Sequence, residues 1–164
     1  MNAPHDHTDH VATVLEQWAR ERPDVDVTPM GVIGRLSRVA RRIDDRLARN
    51  FALHGIDAAT FDVLATLRRS GVPYTLSPKA LRDSSMVTSS AIAQRLNKVE
   101  ADGLVRRTLS QSDGRGKEVQ LTEKGRKIID DLLPHHAAEE HAILETLTPD
   151  QQTTLAGLLA RLDE

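Results

Sequence analysis

The residues best suited to chemistry in this 164-residue chain lie between Thr88 and Lys117, and the chemistry they suit is contact with phosphates and base edges. Residues 102 to 125 read DGLVRRTLSQSDGRGKEVQLTEKG: an apolar run that turns basic, a polar loop around Asp113-Gly114-Arg115-Gly116, then an alternating run into a helix signal. That order predicts a small β-hairpin with Arg115 and Lys117 at a glycine-flanked tip, and with Asp113 placed to hold Arg115 extended. Such cations can reach a DNA backbone or a narrow minor groove. Taken alone, the hairpin is equally consistent with ordinary surface charge. Just upstream, Ile92, Leu96 and Val99 recur on one helical face, leaving Ser90, Ala93, Gln94 and Asn97 on the other. With Thr88, Ser89 and Lys98 beside them, these are the small or hydrogen-bonding side chains that a helix needs to enter a major groove. On an isolated helix they would be a solvated face; the capped short helix before them and the basic hairpin after them favour DNA.

Charge distribution agrees better than net charge does. The chain totals -2 at pH 7, which argues against a nucleic-acid binder if taken globally. Residues 77–117, however, carry 8 Lys and Arg against 4 Asp and Glu, whereas residues 118–164 carry 4 against 10. The basic segment is the one that holds the proposed contacts. The absence of cysteine excludes disulfides, thiolate metal sites and cysteine nucleophiles. No nucleophile-base arrangement, glycine-rich phosphate loop or paired-carboxylate pattern is present, so an enzyme and a cofactor are not expected. His136 and Glu140 are spaced four residues apart as zinc ligands can be, but they lack a defined third and fourth ligand, so no metal site is expected either. With no apolar run able to span a bilayer and no charged-then-apolar leader, a cytoplasmic protein without membrane contact is expected.

The elements that must position these residues are mostly helical. Val11, Val14, Leu15 and Trp18 recur at helical spacing from Thr8 until Pro23 stops them. A longer helix starts near Met30, with Ile33, Leu36, Ala40, Ile43, Leu47 and Phe51 as its stripe, and ends at His54-Gly55. Its length predicts a packing partner along it. Asp57 caps a helix through Arg69 with Phe61, Leu64 and Leu67 apolar, and Ser77-Pro78 opens a short helix before a tight polar link. Gly103 caps the helix that carries the outward face. Strands are expected at 104–109 and 118–121, then a helix from Thr122 to Leu133 that Pro134 kinks or interrupts. A last helix, capped by Thr148, bears Leu155, Leu158, Leu159 and Leu162.

Helix, tight link, helix and two-stranded hairpin is the order of a winged helix-turn-helix, and residues 77–125 resemble the core of the MarR family of bacterial regulators. The wing SDGRGKEVQLTEKG fits that family's Asp-x-Arg wing followed by a strand ending in Leu-Thr and a glycine-containing helix start. With the flanking helices, the resemblance covers nearly the whole chain after residue 30. It implies a mainly α fold with a small β-hairpin wing, and a homodimer whose N- and C-terminal helices interlock while two winged helices read a pseudo-palindrome on double-stranded DNA. It also implies autoregulation. The corresponding divisions are an N-terminal helix and linker (1–29), a dimerisation helix (30–56), the winged region (57–122) and C-terminal dimerisation helices (123–164), in one intertwined domain.

The extra N-terminal helix with its lone tryptophan is similar to the urate-responsive HucR and PecS subgroup. That resemblance implies a small-molecule ligand held by Trp18, Asp62, Arg95 and Arg107. A flat, hydrogen-bonding anion suits a cation, a carboxylate for its ring N–H groups and an aromatic cover. Plainer roles exist for each. On its own helix Asp62 falls opposite Phe61, Leu64 and Leu67, so it is solvated unless another helix covers that face. Trp18 at stripe spacing fits a core, and Arg95 and Arg107 fit phosphate contacts. Two alternatives stay open: a regulator of the same fold that senses a phenolic or organic acid, and an architectural DNA binder with no ligand.

Overall fold

Each segment of this chain carries its own stop and start signals, and the computed structural model shows where they take effect, describing residues 9–86, 89–109 and 116–163. Among the described residues the order is α1 (His10–Glu21), α2 (Thr28–Leu53), α3 (Ala58–Arg69), β1 (Thr75–Leu76), α4 (Pro78–Ser84), α5 (Ser89–Ala101), β2 (Val105–Leu109), β3 (Lys117–Leu121), α6 (Glu123–Leu144) and α7 (Pro149–Ala160). They fall into two compact units, residues 1–46 and 47–164. No helix among the described residues is long and apolar enough to cross a membrane.

In the first unit Asp9 caps α1, its carboxylate accepting the Val11 N–H at 3.1 Å. Its second oxygen accepts from Arg35 Nε at 2.9 Å, and that guanidinium holds the Asp9 carboxyl below the usual carboxylate range. The two helices meet through glycines: a Cβ on Gly34 would stand 3.3 Å from Val11, and one on Gly31 3.3 Å from Leu15. Helix α2 begins two residues before the expected Met30, with Asp26 accepting the Thr28 N–H at 3.0 Å just ahead of its first turn.

The second unit is built around α3. Asp57 caps it through the Thr60 N–H at 2.9 Å, as its sequence predicts. Thr60, Asp62, Val63, Leu64, Thr66 and Leu67 are all buried, which is far more of the circumference than one amphipathic stripe supplies. Leu81 of α4, Leu96 and Val99 of α5, Val105 and Val119 of the sheet and Ile129 of α6 complete the core. Each such apolar side chain contributes roughly 1.5–3 kcal/mol when fully buried. Beside this core Phe61 stacks on Phe51 at a centroid distance of 4.7 Å, and both rings contact that of His136.

Two expectations need correction. The wing has a third strand: β1, only two residues long, pairs antiparallel with β3 to give the order β1-β3-β2. A strand this short leaves no periodicity in a sequence. And Pro134 neither ends nor divides α6, which continues to Leu144. The proline forfeits one backbone hydrogen bond, but Ile129, Leu132 and His136 are buried on either side of it and hold one continuous face in place. Tertiary packing outweighs a local cost of about 3 kcal/mol. In α7 the capping box of Thr148 and Gln151 forms, yet Leu155, Leu158 and Leu159 remain exposed, as does Leu162, which the sequence places on this helix but which lies just past its end at Ala160.

The N-terminus of α6 docks tightly on the turn after α5. Thr122 N–H and its hydroxyl both donate to the Leu104 carbonyl, at 3.1 and 3.0 Å. A Cβ on Gly125 would stand 2.1 Å from that carbonyl oxygen. Gly125→Ala is therefore expected to destabilise the fold by more than about 3 kcal/mol, read as a Tm lowered by roughly 10 °C in a calorimetric scan. A Tm within 2 °C of wild type, taken as about the assay scatter, would show that the turn yields without strain.

Candidate nucleic-acid interface

Ser77 sets the start of α4, its hydroxyl accepting the Ala80 N–H at 3.1 Å, and Leu81 fixes the helix to the core. The helix ends where Ser85 folds its hydroxyl back to donate to the Leu81 carbonyl at 2.7 Å. Helix α5 follows at Ser89, with Leu96 and Val99 turned inward and Gln94, Asn97 and Lys98 exposed as the sequence predicts, while the side chains of Ile92 and Ala93 lie outside the described residues. Ser89 and Ser90 begin this helix. Their side chains lie outside the described residues, as do Thr88, Asp113 and Arg115. Lys117 is exposed at the start of β3, opposite Leu109.

The polar residues of α5 are not idle. Asn97 Oδ1 accepts from Arg107 Nη2 at 2.7 Å. The same arginine lies 3.0 Å from Glu100 Oε2, and its backbone N–H donates to Glu100 Oε1 at 3.1 Å. The strand after the recognition helix is thereby tied to the helix itself. Lys98 pairs with Asp102 at 2.8 Å; that hydrogen bond, followed by the charges of Lys98, Lys124 and Arg95, holds the Asp102 carboxyl below its usual range. On the far side of β2, Arg106 donates to Gln120 Oε1 from Nε at 2.8 Å and from Nη2 at 2.6 Å.

The expected ligand residues have partners as well. Arg95, three-quarters buried along its side chain, pairs with Asp57 Oδ2 at 2.6 Å and so joins α5 to the cap of α3. Asp62 is not solvated, as its position on its own helix suggests, but only 6 % exposed. Its Oδ2 accepts the Met86 N–H at 2.8 Å, and Thr66 Oγ lies 3.5 Å from Oδ1. The reason is α3's burial on more than one face, which helical periodicity does not reveal. Asp62, Arg95 and Arg107 belong to the second unit; Trp18, 42 % exposed, is on α1 in the first. A cavity of about 560 Å³ in the second unit is walled by His54, Asp57, Thr60, Lys98, Asp102 and Lys124, among others. None of the expected ligand residues lines it, although Arg95 meets its wall through Asp57. His136 Nε2 lies 3.2 Å from Glu140, and no group of residues able to hold a metal is found among the described residues.

Glu100 and Met86 therefore belong to the site without having been singled out, and Asp57, read from the sequence only as a helix cap, belongs to it as well. Their signal in the sequence is weak, because an ion pair or backbone contact formed across elements has no characteristic spacing.

Comparison with known proteins gives this geometry a family. The model of the MarR family matches residues 54–116. The chain is 39% identical over 154 residues to the HTH-type transcriptional regulator PecS of Dickeya dadantii, covering 94% of this chain and 93% of that one. In fold it is similar to a mutant MarR from E. coli solved with operator DNA, at a TM-score of 0.71 and 25% identity over 84% of this chain and 95% of that one. It is also similar to BpsR of Bordetella bronchiseptica, whose DNA binding is regulated by 6-hydroxynicotinic acid, at a TM-score of 0.73 and 20% identity over 81% and 93%. The relatives are transcriptional regulators rather than enzymes, and the likeness to PecS agrees with the subgroup that the sequence resembles. The chain belongs to the MarR family of winged-helix transcriptional regulators.

Proposed function

We propose that this protein is a cytoplasmic, dimeric, sequence-specific repressor that binds a pseudo-palindromic operator and leaves it when it takes up a small planar anion, urate or a related purine. The observation that carries the proposal is the position of Arg107. It is held by Asn97 and Glu100 on the exposed side of α5, so an anion that recruits this guanidinium must draw it away from the helix that reads bases. Arg95 lies on α5 itself, so an anion that recruits it must loosen its pairing with Asp57 and draw on that helix directly. The ligand's leverage equals its difference in affinity between the two helix placements, typically 1–3 kcal/mol, or about 5- to 150-fold in DNA affinity.

The outward face of α5 and the exposed Lys117 support DNA as the partner, Gln94 and Asn97 having the chemistry to pair with adenine edges. The exposed leucines Leu155, Leu158 and Leu159 of α7, with Leu162 just past its end, support a dimer. So does the exposed apolar set Val32, Ile33, Leu36 and Val39 on α2.

The labelled intergenic fragment upstream of the protein's own gene, titrated in fluorescence anisotropy, should be bound with a Kd below roughly 10⁻⁸ M and resist unlabelled competitor. Urate added to the complex should lower the anisotropy. Equal affinity for unrelated duplexes, with a steep salt dependence, would instead mark an architectural binder.

Arg95→Ala and Arg107→Ala should each raise the urate concentration for half-release by roughly ten-fold or more, and Trp18→Ala should act in the same direction. A full urate response in both arginine variants would remove urate from these residues. Release by phenolic or organic acids only, 6-hydroxynicotinic acid included, would remove urate altogether.

Leu158→Glu should shift the mass seen by light scattering from twice 18.1 kDa to 18.1 kDa and weaken operator binding at least about ten-fold, since each half-site would then be held alone. An unchanged mass would place the dimer contact elsewhere.

A further inference from the structure

Within the first unit α1 and α2 leave between them an open groove that no residue of the proposed DNA or urate sites lines. Its volume is about 510 Å³, within the range of small-molecule sites. Val11, Val14 and Leu15 of α1 and Pro29, Met30 and Ile33 of α2 form its apolar walls. Along α2 the groove follows Met30, Gly34, Ser37 and Arg41, each three or four residues from the last and so on one side of the helix. By helix rise that line is about 16 Å long. It ends in charge: Arg38 stands beside Arg41, and both are exposed. The two helices run antiparallel, since Asp9 meets Arg35 while Leu15 approaches Gly31, which brings His10 of the lining toward the same cationic end.

Neither the apolar walls nor the guanidiniums find a match within the unit. Met30 and Ile33 are 46 % and 56 % exposed. Arg35, one turn earlier, gives its guanidinium to Asp9, but among the described residues no carboxylate pairs with Arg38 or Arg41. A planar, weakly hydrated guanidinium is suited to a carboxylate, which it can take through two parallel hydrogen bonds. The dimer contact does not account for the groove. At 100° per residue Val32, Leu36 and Val39, which support that contact, lie about 160° around α2 from the line of Met30, Gly34, Ser37 and Arg41, with Ile33 at the border. Phosphates of DNA would gain nothing from the apolar walls. We propose that the groove binds an amphipathic monocarboxylate, its alkyl body lying against Val14, Leu15, Met30 and Ile33 and its carboxylate on Arg38 and Arg41. Urate is polar on every edge and has no use for these walls, so the site is separate from the one proposed above and does not rest on it.

Isothermal titration of the full chain with decanoate, kept below its micelle concentration, tests the site on wild type, Ser37→Phe, Arg107→Ala and the double variant Arg38→Met, Arg41→Met. Wild type should bind about one decanoate per chain with a Kd below roughly 10⁻⁴ M. Octanoate and hexanoate should bind more weakly, by roughly two- to four-fold for each methylene removed, because each lost methylene leaves apolar wall uncovered. The double variant should lose at least roughly ten-fold in decanoate affinity, as removal of charge-assisted hydrogen bonds predicts. Its two positions are exposed, so the fold is retained. Ser37→Phe places a ring in the groove and should weaken decanoate similarly. Arg107→Ala should bind it as wild type does. Absence of saturable binding in wild type overturns the proposal, as does a chain-length series with equal affinities. So does wild-type affinity in the double variant, or a loss in Arg107→Ala, which would put the carboxylate on the residues proposed for urate. A Ser37→Phe protein whose mass by light scattering differs from that of wild type would show the groove to be filled by a second copy, and would overturn it too. Failure of the urate or operator reading leaves these measurements intact, because they require neither.

Discussion

A helix buried on most of its circumference can carry polar side chains only if other segments satisfy them, and α3 lives under that constraint. Thr60, Asp62 and Thr66 are buried along with Val63, Leu64 and Leu67. Leaving a carboxylate unsatisfied in that position would cost several kcal/mol, a sizeable part of the stability of a domain of this size. The Met86 N–H meets part of the demand at 2.8 Å. Stability of the core and placement of the turn are consequently the same contact seen from two sides. The recognition helix, the wing and α6 are arranged outward from this helix, each delivering apolar residues to its surface.

The links between α5 and its neighbours are of another kind. The Arg107–Glu100 pair leaves 36 % of each side chain exposed, and Arg95–Asp57 leaves 25 % and 47 %. Ion pairs so open to water contribute about 0–1 kcal/mol each, too little to define the fold. They determine which way the guanidiniums point while costing little to exchange. A phosphate or a ligand anion can therefore compete for Arg107 without disturbing the core, whereas no comparable exchange is open to Leu96 or Val99. The division suits a regulator: rigid apolar contacts fix the helix to its unit, and weak polar ones leave its outer surface adjustable.

Charge follows the same division of labour. The basic residues gather between 77 and 117, and acidic ones dominate from 118 onward. The α7 leucines lie in the acidic part, and the outward residues of α5 lie in the basic part. A modestly negative chain can thus present a positive surface locally, because screening confines each charge to within about 10 Å at ordinary salt. Net charge alone would have pointed away from DNA for this reason.

The sequence by itself determined the features whose cause is local. Asp57, Ser77 and Thr148 cap the helices they precede, each accepting a backbone N–H three residues on. Gly103 turns the chain at a φ of +71°, where a side chain would be strained. Helical spacing likewise put Leu96 and Val99 inside and Gln94 and Asn97 outside. These follow from interactions within one or two turns, which a linear pattern records. Tertiary structure alone decided the rest: the passage of α6 through Pro134, the two-residue β1, the burial of Asp62 and the partners of Arg95 and Arg107. Asp62 meets Met86 across 24 residues and Arg107 meets Asn97 across 10. No local pattern encodes such contacts, because they exist only once the packing of several elements has brought the groups together, and that packing also decides whether a proline or a carboxylate can be tolerated where it falls.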